Sequence, residues 1–373
     1  MRRAFVHIGT PRTGTTTLQR VLFSHRAELA GAGILYPNLT PSRAAEPHLS
    51  HQHLGEALAG RRAAADRIEL LTLLDGRLAE TTCDTVILSY EALCLMPAAV
   101  GAPKLLCDLF SRHGIAVHPV LTVKPQVEYL NSTYTWRMQF LREARLFPDF
   151  FSRHLEARDL DYARLVAPWC AASGQPAIAV PVRDARDGRP LIGRVFAAFG
   201  LEDRTASIVN ENNLALVENR SPGALAIEVC RRLRLGGADL ALGGTARDAT
   251  RLVEREARSR GWDGVAFMGH DEPLRARAAA RWSDSNERFA RQVWNAGWTE
   301  CVAPEPARPM NEIARSPFSA DAEAAIRSIL QLCCDSRGIR LHGAARSRAL
   351  RAAVVPMSAF SHLHRQARLF LRG

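Results

Sequence analysis

At 373 residues, 47% hydrophobic and 23% charged, the chain has the composition of a folded protein and excludes a disordered or collagen-like one. Eight cysteines without a single C-x-x-C pair exclude a zinc ribbon and a dense disulfide scaffold and fit a reducing compartment. The net charge of +11 is uneven, because Arg337 to Gly373 carries eight arginines and no acidic residue. Such a tail suits an anionic membrane or an acidic polymer, and it equally suits a solvated terminal helix. No run approaches the ~18–20 apolar residues of a membrane span, and the opening apolar run is too short for a signal peptide. A soluble, intracellular protein is expected.

In chain order, Ala4 to Ile8 reads as a short buried strand, followed by a Gly/Pro/Thr-rich turn and a helix carrying Leu18, Val21 and Leu22. An amphipathic stretch from Leu54 to Glu80 leads to a second strand at Thr85 to Ser89. Lys104 to His113 reads as a helix, Ala116 to Val123 as a third strand, and Gln126 to Leu141 as a helix opened by Pro125. Tyr162 to Ala172 is helical, and Ala177 to Val182 is a further strand whose Pro181 places its end at an edge or turn. Strands alternating with helices predict an α/β fold with a parallel sheet. Beyond Leu214 the pattern is helical: Pro222 to Leu233, Ala246 to Arg258, Asp271 to Ala280, Asn286 to Trp294 and Ala320 to Leu332. Cys301 to Pro317, with four prolines, is an extended connector before the last helix and the basic tail.

The most informative stretch is Gly9-Thr-Pro-Arg-Thr-Gly-Thr-Thr-Thr17, between the first strand and the first helix. Backbone N–H groups and a helix N-terminus converge there on an anion, with the hydroxyls of Thr13, Thr15, Thr16 and Thr17 nearby. Gly9-x4-Gly14 has Walker A spacing, yet Thr15 stands where a nucleotide triphosphatase needs lysine. The cation is inside the loop instead, at Arg12.

Pro11-Arg-Thr-Gly-Thr-Thr-Thr-Leu18 resembles the 5′-phosphosulfate loop of the sulfotransferases that use 3′-phosphoadenosine 5′-phosphosulfate (PAPS), written P-K/R-x-G-T-T-x-L. Gly33-Ile-Leu-Tyr-Pro37, Ser89-Tyr-Glu91 and Asn219-Arg-Ser-Pro222 follow in the order found in bacterial members of that family. The resemblance covers residues 4–235 and, more weakly, 286–294. It implies a three-layer, P-loop-like parallel sheet flanked by helices, with a helical C-terminal half. Together with the helical and proline patterning read above, it gives the expected organisation: a core at 1–235 with the PAPS loop, a helical extension at 236–300, and a connector, helix and basic tail at 301–373, the tail lying outside the resemblance. It further implies a cytoplasmic enzyme moving a sulfuryl group to a hydroxyl or amine of an acceptor, a carbohydrate or lipid-linked glycan being compatible. Neither a metal nor a nucleic-acid partner is implied, and the tail is the candidate for peripheral contact with the inner membrane face.

The resemblance also implies roles for single residues. Pro11, Arg12, Thr13, Gly14, Thr15, Thr16 and Thr17 would hold the 5′-phosphosulfate, with Arg12 neutralising the leaving oxygen. Lys124 at a strand end and Ser132 eight positions later match the spacing of the 3′-phosphate pair, although Lys replaces the family's Arg and gives a point charge in place of a fork. Candidates for the acceptor's base are His51 and His53, in the cluster Glu46-Pro-His-Leu-Ser-His-Gln-His53, and Glu91 after the second strand. The histidines at 48, 51 and 53 could instead bind a metal or simply be surface groups. Arg183 could approach the nucleotide, while Asn219 and Ser221 could complete its site or cap the helix at Pro222. Two rival classes remain open at this point: a P-loop kinase or nucleotide triphosphatase, and a non-catalytic module binding an anionic glycan or membrane.

Overall fold

The structure is a computed structural model that describes residues 2–96, 100–208, 221–236, 246–306, 309–311 and 319–337. Asn219 and all of the basic tail after Arg337 lie outside the described residues. Chain contacts divide the protein into two units, one built from Met1–Leu130, Arg153–Arg220 and Glu272–Ala307, the other from Asn131–Ser152, Ser221–Asp271 and Arg308–Gly373.

The first unit holds a parallel sheet of five strands: β1 (Arg2–Gly9), β2 (Ile34–Leu35), β3 (Thr85–Ser89), β4 (Ile115–Val123) and β5 (Ile178–Pro181), in the order β2-β3-β1-β4-β5. β1 is central because it is apolar on both faces, as a strand covered twice must be. On one face Ala4, Val6 and Ile8 pack with Leu70, Leu74 and Leu78 of helix α4 (Ala64–Glu80), Leu106 and Phe110 of α5 (Ala102–Arg112) and Trp169 of α8 (Tyr162–Ser173). On the other, Phe5 meets Leu18, Val21 and Leu22 of α1 (Thr15–Ser24) and Val195 and Phe196 of α9 (Leu191–Ala198). Between and after these elements run the helices α2 (Arg26–Gly31), α3 (Gln52–Leu58), α6 (Gln126–Gln139), α7 (Phe147–His154) and α10 (Glu202–Thr205).

An α/β fold with a parallel sheet flanked by helices and a helical C-terminal half is therefore present. Several boundaries differ from the sequence reading. The stretch Leu54 to Glu80 is two helices, broken at Gly60, whose φ of 70° stops α3. Asp271 to Ala280 and Asn286 to Trp294 join in one helix of 23 residues, Glu272–Trp294. β2, with only two residues, is too short to leave an alternation pattern.

At the sheet's far side, Trp294 donates its indole N–H to the carbonyl of Ala179 on β5 at 2.9 Å. Arg194 donates to the carbonyls of Pro181 and Val182, the latter at 2.8 Å.

The second unit is helical among its described residues. Tyr134, Phe147, Phe150 and Phe267 form its aromatic core, with Tyr134 5.4 Å from Phe147 and 5.2 Å from Phe150, centroid to centroid. The helices Ala224–Leu235 and Ala320–Arg337 are joined by a two-pronged bond from Arg232 to Glu323 at 2.6 and 2.7 Å. Glu228 is buried beneath Arg231 and Arg232 and accepts from both.

Gly55 on α3 lies flat against the Tyr90 ring, so a Cβ there would overlap ring atoms. Gly55→Ala is expected to cost about 1–3 kcal/mol by overpacking, read as a lower urea midpoint with an unchanged slope.

Candidate functional site

The carboxyl ends of β1, β3 and β4 converge in the first unit, and the loop after β1 is held there by a ladder of threonines. Thr10 donates its backbone N–H (3.1 Å) and its hydroxyl (2.9 Å) to the carbonyl of Thr122 on β4. Thr13 donates its hydroxyl to the carbonyl of Thr10 and touches the Thr122 hydroxyl, both at 2.5 Å. Thr122 in turn donates to the carbonyl of Gly9 at 3.1 Å. Thr13 is buried, so its hydroxyl serves the loop's own anchoring, while Gly14 is exposed and Thr16 and Thr17 are half-buried. A Cβ on Gly9 would come within 2.8 Å of the Glu91 carbonyl and collide with Cys94, so only glycine lets the loop leave the sheet this closely.

Arg12 and Gly14 have φ of 67° and 80°. Left-handed residues of this kind turn backbone N–H groups into an anion-binding concavity. Gly14 is the N-cap of α1 and supplies no side-chain cap, and the first turn of α1 carries no acidic residue. The helix therefore presents its positive end without a competing anion from its own first turn.

Two cations meet at this loop. The Arg12 guanidinium is largely buried, its Nε is out of reach of solvent and of any hydrogen-bond acceptor among the described residues, and burial pulls its pKa down against the nearby charge of Glu91. Lys124, at the end of β4, donates from Nζ to the carbonyl of Arg12 at 2.7 Å. Burial, with the charges of Arg12 and Arg183, pushes the Lys124 ammonium down to about 7. Its own carbonyl accepts the Tyr162 hydroxyl at 2.5 Å, which pins the strand end. Arg183, beyond β5, is ion-paired with the buried Glu128, and Glu128 also accepts the backbone N–H of Glu305 at 2.6 Å. Ser132 lies on α6, beyond the point where the chain passes into the second unit, and its carbonyl accepts the Thr135 hydroxyl at 3.0 Å.

The three base candidates have different surroundings. His51 is buried, takes the Ser89 backbone N–H on Nδ1 at 2.9 Å and meets the Pro37 carbonyl through Nε2 at 2.9 Å. Both ring nitrogens thus bridge backbone, and burial lowers its pKa to about 4. His53 on α3 takes a hydrogen from Arg62 on Nδ1 at 2.8 Å, which leaves its ring proton on Nε2. Burial and the Arg62 charge lower its pKa as well. Glu91 accepts from Gln19 on Oε2 at 2.8 Å, is half-buried and lies in the electrostatic field of Arg12. His48 bonds to Ser50 at 3.0 Å, and among the described residues no three His, Cys, Asp or Glu side chains converge as a metal set.

Sequence reasoning missed His7, Gln19 and Thr122. His7 is 1% exposed on β1, with Nδ1 2.9 Å from the Ser89 hydroxyl and Nε2 3.5 Å from the Thr122 hydroxyl. Gln19 donates to Ser89 at 3.1 Å as well as to Glu91. The available signal was polarity in the wrong place: a histidine inside the run Ala4 to Ile8 and a glutamine beside Leu18 on the apolar side of α1.

No family model matches this chain, and no curated protein or solved structure matches it either.

Two measurements follow from these groups. An anion in the loop would favour protonated Lys124, so binding pyrophosphate at pH 8 is expected to take up close to one proton, seen as a buffer-dependent calorimetric enthalpy that Lys124→Met removes. His7 and His51 are both depressed to about 4 from an unfolded value near 6.5. The unfolded chain therefore binds more protons between those values. Stability should be full above pH ~6.5 and fall as pH drops toward 4, read as a declining Tm across that window.

Proposed function

We propose that the protein is a PAPS-dependent sulfotransferase that moves a sulfuryl group to a hydroxyl or amine of its acceptor. The observation that carries this reading is the half-buried Arg12 guanidinium, with a buried and unsatisfied Nε, inside a loop that opens onto the N-terminus of α1. A buried cation lacking a protein partner on one of its donors is suited to an anionic ligand. The strand order adds support. From β1 the chain builds one side of the sheet with β3 and β2 and the other with β4 and β5, so the loop leaves the sheet at its switch point, where open α/β sheets bind ligands.

In this reading the loop N–H groups, Arg12 and Lys124 hold the 5′-phosphosulfate, and the family's spacing assigns Ser132 to the 3′-phosphate. Arg12 offsets charge on the bridging oxygen as the bond from sulfur to that oxygen breaks and the bond to the acceptor atom forms. The acceptor's proton passes to Glu91, the half-buried candidate base that accepts from Gln19 on Oε2 and leaves Oε1 to the acceptor; the ring nitrogens of His51 serve backbone, and the Nδ1 lone pair of His53 serves Arg62. The notably short supply of lysine, with only Lys104 and Lys124 in the chain, makes Lys124 easy to single out by substitution.

The test is calorimetric titration with adenosine 3′,5′-bisphosphate, beside ATP with Mg²⁺ and beside adenosine 5′-monophosphate. Tight binding that requires the 3′-phosphate is expected. A preference for ATP with Mg²⁺ overturns the reading in favour of a kinase, and absence of all nucleotide binding overturns it in favour of a non-catalytic role. Arg12→Ala should lower turnover on the order of 10²–10³-fold, as loss of a transition-state charge partner does, with an unchanged circular-dichroism spectrum; wild-type turnover in that variant would remove Arg12 from the reaction.

A further inference from the structure

A continuous row of buried hydrogen bonds crosses three strands beneath the loop. It begins at Glu91, whose Oε2 accepts from Gln19 at 2.8 Å. The same Gln19 amide nitrogen donates to the Ser89 hydroxyl on β3 at 3.1 Å. Ser89 meets Nδ1 of His7 on β1 at 2.9 Å, and Nε2 of His7 faces the Thr122 hydroxyl on β4 at 3.5 Å. Thr122 closes the row on the loop itself by donating to the Gly9 carbonyl at 3.1 Å, with the Thr13 hydroxyl 2.5 Å from its oxygen. His7, Ser89, Thr122, Thr13 and Gln19 are all buried, and His7 stands directly opposite Ser89 in the sheet register.

The imidazole suits the middle of this row for a chemical reason. Burial holds it neutral, so one ring nitrogen carries a hydrogen and the other a lone pair. With Gln19 donating to Ser89, the serine hydrogen is directed at Nδ1, and the Nε2 hydrogen is directed at Thr122. Gln19 donates both ways, to the carboxylate and to Ser89, and from Gln19 the row runs in one sense to the loop with each buried hydroxyl satisfied. An apolar ring at position 7 would leave the Ser89 and Thr122 hydroxyls without that partner.

We propose that His7 is a positioning residue that ties the Glu91 carboxylate to the anion loop, so that one buried hydrogen-bond row sets the placement of both. The proposal deepens the reading above and rests on Glu91 as the base.

The full chain is compared with His7→Phe, which keeps an aromatic ring and loses both bonds, and with His7→Gln, whose amide can still accept and donate. Amide hydrogen exchange followed by mass spectrometry is the first readout. In His7→Phe the segments Gly9–Thr17 and Ser89–Cys94 should exchange faster together, by roughly tenfold, the effect of losing a buried hydrogen bond. In His7→Gln both should return toward wild type. Turnover with PAPS is the second readout: kcat should fall in His7→Phe and recover in His7→Gln, with KM for the acceptor little changed. Faster exchange in only one of the two segments, or an equal rise across all strands in both variants, overturns the proposal. If His7→Phe fails to fold, Ser89→Ala and Thr122→Val cut the row on either side of the ring and give the same comparison. Wild-type protein that binds no bisphosphate retires the sulfuryl-transfer reading separately, and the exchange comparison still decides whether the two segments are linked.

Discussion

Burying positive charge is expensive unless something answers it, and the first unit is organised around two such charges at the end of β1. Arg12 is half-buried with its Nε enclosed and unsatisfied, and Lys124 is buried with its ammonium on the Arg12 carbonyl. Neither could be held there by a flexible turn. The threonine ladder from Thr10 and Thr13 to Thr122 fastens the loop to β4, Tyr162 fastens the carbonyl of Lys124, and Gly9 allows the loop to hug Glu91 and Cys94. The loop's donors are therefore fixed in advance, and donors fixed before a ligand arrives lose little on binding.

The same arrangement distributes acidic and basic character across a short distance. Glu91 raises the tendency of Arg12 to stay charged while burial lowers it, and the mutual repulsion of Arg12, Lys124 and Arg183 weakens the proton affinity of the lysine. Glu128 and the backbone around Glu305 hold Arg183 against that repulsion. An incoming anion would reverse the balance, since each cation would then gain a partner in a region of low dielectric.

Much of this was legible in the sequence where backbone geometry dictates residue type. The strand Ala4 to Ile8, the glycines at 9 and 14 and the arginine between them announce the loop, and the strands Thr85 to Ser89 and Ala177 to Val182 fall within a residue or so of β3 and β5. What a linear pattern does not carry is the direction of long side chains. Lys124 and Ser132 share a recognisable spacing, yet the lysine's end rests on the loop, a contact made across the sheet from β4 to the turn after β1. Three histidines in six residues look alike on paper; the fold gives His51 two backbone bonds, His53 a guanidinium and His48 a serine. The polar row through His7 was hidden for the same reason, since it joins residues 82 and 115 positions apart.

The contacts of Trp294 and Arg194 with β5 have a wider meaning. Pro181 has no N–H to offer, the Ala179 carbonyl is taken by an indole, and the carbonyls of Pro181 and Val182 are taken by a guanidinium. At the opposite margin β2 is only two residues long. Among the described residues, both margins of the sheet are thus blunted, one by side chains on its carbonyls and the other by its shortness, devices that work against edge-to-edge aggregation. The same contacts turn the β5 carbonyls inward to the protein's own indole and guanidinium, groups that a strand added there would have to displace.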